Sequence, residues 1–161
     1  MPREGPKGDI NKLAEKLLNQ DIEKQIKEAF DTQLQKPVQV IYFGKEDDCE
    51  YCADTRQLVE EVVALTDKVE LELHDIEKDT DLARKYNVER APGLVIAGKD
   101  GAELIDFGVR FAGIPSGYEF SSLIQSLVLV SNRDSGLKET TRQVLKNLTE
   151  PVHMLVFTTP T

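Results

Sequence analysis

The stretch PVQVIYFGKEDDCEYC, residues 37–52, decides the fold. Its opening run, PVQVIYFG, is nearly continuous in apolar residues and rich in β-branched and aromatic side chains, the composition of a buried strand. The run leads straight into Cys49 and Cys52, the two cysteines of the chain, which sit among Glu46, Asp47, Asp48 and Glu50. Beyond them Leu58, Val59, Val62, Val63 and Leu65 recur at helical spacing. The pair is therefore expected between a strand and a helix, with Cys49 at the helix's start and Cys52 one turn in.

Working outward, the opening MPREGPKG is rich in Pro and Gly and reads as a mobile end. Ile10, Leu13 and Leu17, then Ile22, Ile26, Ala29, Phe30 and Leu34, recur every three or four residues and predict helix. On the other side, KVELELHD (68–75) alternates Val69, Leu71 and Leu73 with charged neighbours, the period of a half-buried strand. A short helix is expected near 80–86. LVIA (94–97) and ELIDF (103–107) flank GKDG, an Asp-Gly hairpin signal. SGYEFSSLIQSLVLV opens with a predicted capping box, Ser116 with Glu119, ahead of the stripe Phe120, Leu123, Ile124, Leu127 and Val128. The predicted order is β-α-β-α-β-β-α after an extra N-terminal helix.

Composition narrows the function classes. The chain has 161 residues, 40% hydrophobic and 30% charged, with a net charge of -9. That is enough length for a buried core. The sign of the charge argues against nucleic acid or an anionic membrane as main partner, since both call for a basic face. No apolar run approaches the ~20 residues of a membrane span, and MPREGPKGDINK lacks the apolar stretch of a signal peptide. The expected compartment is the cytoplasm, where a Cys-x-x-Cys pair points to redox or metal chemistry more than to a secreted disulfide framework. A zinc site wants four ligands and usually two such pairs. Only His74 and His153 could supplement this one, and they lie far apart in sequence. A purely structural disulfide closing so short a loop removes little entropy from the unfolded chain. Burial as two small hydrophobes fits poorly with the charged loop KEDDCEYC.

The tail adds a repeat. LKETTRQVLKNLTEPVHMLVFTTPT restates IEKQIKEAFDTQLQKPVQVIYFG as amphipathic helix, Pro-Val, then apolar strand, and Pro37-Val38 recurs as Pro151-Val152 at an offset of 114 residues. The expected division is an extension over 1–19, one complete unit over 20–133, and the first helix and strand of a truncated second unit over 134–161.

With CEYC (49–52), ERAPG (89–93) and DFGVRFAGIPSGYEF (106–120), the chain resembles the glutaredoxin-like protein disulfide oxidoreductases of thermophilic prokaryotes, which are built from two thioredoxin-like units. The resemblance spans roughly residues 20–161. It implies an α/β thioredoxin-like fold, a four-stranded mixed sheet flanked by helices. It also implies dithiol–disulfide exchange with protein substrates, with Cys49 as nucleophile and Cys52 as resolving thiol. A helix N-terminus beside Cys49 would favour its thiolate. Pro92 resembles the cis-proline that faces the sulfurs in that fold, leaving the backbone of Ala91 free to pair with an extended substrate. Glu50 and Tyr51, between the cysteines, are expected beside bound substrate, Glu50 as a solvated charge and Tyr51 as a surface aromatic or a lid over Cys49. Lys45 is expected as a surface charge and His74 as a polar residue at a strand end rather than a base. Phe43 stands where thioredoxin carries a buried acid, which leaves Glu72 or water to serve Cys52. No cofactor or metal is called for, since the electrons move through the sulfurs. The expected partners are protein thiols and disulfides and a thioredoxin-reductase-like electron donor, with self-association through the C-terminal strand. The amino-terminal part of alkyl hydroperoxide reductase shares the tandem layout, but its first unit typically lacks a cysteine pair. The alternative function is a redox-modest interaction or docking module.

Overall fold

Strand β1 (Val38–Gly44) is buried along its whole length because it lies inside the sheet. The computed structural model describes residues 16–158, so the expectations for Ile10 and Leu13 lie outside the described residues. The sheet runs β2-β1-β3-β4. Strand β2 (Val69–Asp75) pairs parallel with β1, β3 (Gly93–Asp100) antiparallel with β1, and β4 (Glu103–Ala112) antiparallel with β3. With strands on both sides and side chains buried on both faces, β1 needs the unbroken apolar run that its sequence supplies.

Alternation along β1 divides the interior into two cores. Val38, Val40 and Tyr42 join Leu94 and Ile96 under Ile26 and Phe30 of α1 (Gln20–Gln33), Val59 and Val62 of α2 (Cys52–Val63), and Leu123 and Leu127 of α4 (Tyr118–Asn132). Ile41, Phe43 and Val95 face the other way, against Ala83 and Tyr86 of the α3 region (Thr80–Lys85 and its C-cap). Burying each such aliphatic or aromatic side chain contributes roughly 1.5–3 kcal/mol. Strand β2 is an edge, and its expected alternation fades toward the far end: Val69 is buried, Leu71 half-buried and Leu73 40% exposed.

The hairpin closes where Asp100-Gly101 predicts, with Asp100 opposite Glu103 and Gly101 at φ 60, a left-handed conformation that glycine adopts without steric cost. Beyond the expected end at Phe107, β4 continues to Ala112 across a register shift opposite Ile96 and Ala97. The irregularity accounts for the motif DFGVR. Gly108 turns at φ 78 and donates its N–H to Asp106 Oδ1 at 2.9 Å. Asp106 also takes two hydrogen bonds from Arg110, whose Nε–H reaches the Tyr86 carbonyl at 2.7 Å. The bulge thereby ties β4 to the loop that carries Ala91 and Pro92.

Three expectations are corrected. The capping box is not formed: α4 starts at Tyr118 with Gly117 as N-cap at φ 57, and Ser116 offers only its backbone carbonyl to the Glu119 N–H. Ser116 is thus one residue too early for its hydroxyl to cap. Cys49 is not in α2, which begins at Cys52 after a turn through Glu50 and Tyr51. In the tail a helix does form, α5 (Glu139–Lys146), but residues 151–158 are exposed and belong to no strand. An extended segment becomes a strand only by pairing its backbone with a neighbour.

Candidate active site

The site begins where β1 ends. The Tyr42 ring lies across Gly44, where an added Cβ would come within 2.7 Å of the ring carbon bearing the hydroxyl, so glycine alone leaves room for it. The chain then leaves the sheet through an exposed acidic loop and turns at Asp48, whose φ of 51 is a left-handed value that aspartate tolerates. Cys49 follows and is joined by a disulfide to Cys52, with the two Cα atoms 5.4 Å apart. Cys49 is partly exposed, whereas Cys52 is 6% exposed. The phenol of Tyr42 donates to the Cys52 carbonyl at 2.8 Å, locking the first residue of α2 to the middle of the sheet. Burial pushes the pKa of that phenol above its ordinary value of 10.0.

A groove of ≈ 450 Å³ opens beside the disulfide, its chemistry supplied by Cys49, Cys52, Arg56, His74 and Asp75. His74 enters because β1 and β2 run parallel with Phe43 opposite it, and its ring stacks on the fully buried Phe43 with centroids 5.5 Å apart. Its Nδ1 lies 3.0 Å from Asp79 Oδ2 and its Nε2 2.8 Å from Glu72 Oε1. Asp79 is held below the usual carboxylate range, first by that contact with His74 and then by the Asp75 backbone N–H. Arg56 reaches the groove from α2, four residues after Cys52, while its Nε pairs with Glu60 at 2.7 Å.

The other expected site residues stand around this centre rather than in it. Glu50 is exposed, and Tyr51 is 47% exposed and outside the groove lining. The Ala91-Pro92 peptide is cis. Pro92 is buried, its carbonyl accepts the Gly113 N–H at 2.9 Å, and the next residue, Gly93, pairs with Phe43 at the end of β1 from which the cysteine loop departs. Ala91 and Pro92 are therefore at the cysteine end of the sheet but do not line the groove. Lys45, half-buried, does line it. Of the four acids near Cys49, Glu46 is paired with Lys78 at 2.6 Å, while Asp47, Asp48 and Glu50 have no ion-pair partner among the described residues.

Sequence pattern singles out neither Asp79 nor Arg56, and it marks His74 only as a polar residue at a strand end. The i, i+4 spacing from Cys52 is a usable signal for Arg56. His74 depends on strand register, which local pattern does not carry, and Asp79 enters only through its contact with His74.

Residues 36–125 match the family model described as a thioredoxin domain. The alkyl hydroperoxide reductase AhpF of Pseudomonas aeruginosa is 31% identical over 123 residues, which is 75% of this chain and 20% of that protein. Its Staphylococcus aureus counterpart is 27% identical over 141 residues, 88% of this chain and 24% of that protein. Among solved structures, a protein disulfide oxidoreductase from Aeropyrum pernix superposes with a TM-score of 0.68 at 27% identity, covering 81% of this chain and 55% of that one. The N-terminal domain of Enterococcus faecalis AhpF gives 0.69 at 24% identity, covering 78% and 58%, a likeness of fold. The chain thus spans about a fifth of the AhpF proteins and about half of the oxidoreductase structure.

Proposed function

The chain belongs to the thioredoxin-domain family, and on that premise we propose that it is a thiol–disulfide oxidoreductase unit acting on protein substrates through Cys49 and Cys52. The observation that carries the reading is the disulfide itself: one partly exposed cysteine joined to one buried cysteine, both lining a groove. In the reducing direction, the Cys49 thiolate attacks a substrate disulfide. One substrate sulfur leaves as a thiolate and takes up a proton, and a mixed disulfide remains on Cys49. Cys52, once deprotonated, attacks the Cys49 sulfur, forming the intramolecular disulfide and releasing the second substrate thiol. Two electrons pass from the protein to the substrate disulfide. The partial exposure of Cys49 and the burial of Cys52 support this division of labour.

Ala91 and Pro92 form the ledge along which an extended substrate lies, with Glu50 and Tyr51 at its margin. The likeness to alkyl hydroperoxide reductase AhpF supports a partner of the reductase kind as the other end of the electron path. We assign residues 20–133 to the redox unit and the residues after it, which include α5, to a second one. No helix among the described residues is long and apolar enough to cross a membrane.

Trapping tests the assignment. A Cys52→Ser chain, reduced and mixed with a disulfide-bonded protein, is expected to accumulate a reductant-sensitive adduct that peptide mapping places on Cys49. Absence of an adduct, or an equal yield from Cys49→Ser, would count against it.

A further inference from the structure

In the exchange scheme the buried Cys52 thiol must shed a proton before it can resolve the mixed disulfide, and the strand position that could have held an acid is the apolar Phe43. The groove beside Cys52 supplies the candidates. The Tyr42 phenol is committed to the Cys52 carbonyl, and burial pushes its pKa further up, so it is a poor base. Glu46 is engaged by Lys78. Asp75 accepts the backbone N–H groups of Glu77 and Lys78 and lies 3.7 Å from the Lys78 ammonium. Lys45 and Arg56, as an ammonium and a guanidinium, have no lone pair to offer. His74 is left, the one side chain of the groove whose type exchanges a proton near neutrality.

We infer that His74 is the group that takes the proton of Cys52, relayed by water in the groove, with Asp79 and Glu72 as its positioning residues. The inference rests on the exchange reading given above. Asp79 Oδ2, which also accepts the Asp75 N–H at 3.2 Å, lies 3.0 Å from Nδ1 of His74; in the proposed neutral tautomer it accepts the Nδ1–H and leaves the lone pair on Nε2. Nε2 receives the proton from Cys52, and the imidazolium then donates to both carboxylates, to Asp79 from Nδ1 and to Glu72 from Nε2. When the disulfide is next reduced, the same proton returns to Cys52. The stack on Phe43 holds the ring plane, so the residue standing in place of an acid becomes the platform of the base.

The test separates the two thiol steps with 5,5′-dithiobis(2-nitrobenzoate). Attack by Cys49 releases a first thionitrobenzoate, and resolution by Cys52 releases a second. His74→Gln is expected to leave the first release within about twofold and to slow the second by at least about tenfold at about pH 7, the low end of general-base effects. The deficit should close above about pH 9, where the thiol ionises unaided. Asp79→Asn, which keeps the ring and its stack, should slow the same step and shift its pH profile upward. An unchanged pH profile of the second release in both variants would overturn the inference, as would equal slowing of both releases at every pH. A parent chain that releases no second equivalent overturns the exchange reading itself, and this inference with it.

Discussion

The phenolic hydroxyl of Tyr42 donates to the backbone carbonyl of Cys52 at 2.8 Å, so the buried cysteine is tied to strand β1 by its main chain and to Cys49 of the following loop by its sulfur. The helix start that bears Cys52 has no side-chain cap, since Tyr51 at the N-cap makes none, and this bond supplies much of its anchoring. Tyr42→Phe should therefore cost about 1 kcal/mol of stability, the usual net value of one such hydrogen bond. Urea unfolding of the oxidised protein measures it. A midpoint equal to that of the parent would mean that the helix start is held by packing alone.

Cys49 in the reduced protein should be alkylated much faster than Cys52, because only the former is open to solvent. Brief treatment with iodoacetamide followed by peptide mapping reads the ratio. Equal or reversed labelling would exchange the roles assigned to the two thiols.

The pair should be a reductant rather than a strong oxidant. Negative charge beside Cys49 disfavours its thiolate, and with Glu46 neutralised by Lys78 the field comes from Asp47, Asp48 and Glu50. Each contributes below about 1 kcal/mol when exposed and is screened by salt. Cys49 also lies a full turn before α2, which weakens any help from the helix dipole. A disulfide whose reduced form lacks such stabilisation is held more firmly, and roughly 30 mV corresponds to 1.4 kcal/mol. Equilibration with glutathione should place the potential toward the thioredoxin end, and Asp47→Asn with Asp48→Asn should raise it. A value in the glutaredoxin range or above, or no shift in the double variant, would contradict this.

Acid should weaken the β4 bulge. The hydrogen bonds from Arg110 hold the Asp106 carboxyl below its ordinary value of 3.8, against a smaller upward effect of partial burial. A group lowered in the folded state adds stability that is complete above its unfolded pKa and is lost as pH falls through the folded one. Asp106→Asn should be less stable at neutral pH, by no more than the ~1 kcal/mol of a half-exposed pair, and should lose less on acidification below about pH 4. Urea midpoints at several pH values would show it. Parallel acid losses in parent and variant would remove Asp106 from the account.

Val152, Met154, Leu155, Val156 and Phe157 present apolar side chains to solvent, with Phe157 at 88% exposure. Such a segment seeks a partner surface. The full chain is expected to self-associate in sedimentation experiments, and a chain cut after Ser135 to remain monomeric. Identical monomeric behaviour of the two would show that the segment associates with nothing.

The elements set by local pattern are legible in the sequence. The apolar run of β1, the Asp100-Gly101 turn and the stripe of Leu123 and Leu127 each state their own periodicity, and the fold follows from their order. The start of α4 is not, because a capping box looks the same whether or not its serine occupies the N-cap, and here Gly117 takes that place. The tail misleads for a related reason: an apolar run records the capacity to pair, not the presence of a neighbour. At the site, the cysteines announce themselves, while His74 and Asp79 do not. The place of His74 in the groove depends on the parallel register that sets Phe43 beside it, a relation between residues 31 positions apart, and Asp79 matters only through His74.

The most direct test of the account is reduction of insulin by the full chain in the presence of a dithiol, run beside Cys49→Ser. The account predicts that the parent accelerates precipitation of the insulin B chain well above the dithiol alone and that the variant does not. A parent no faster than the dithiol, or a variant as fast as the parent, would contradict it.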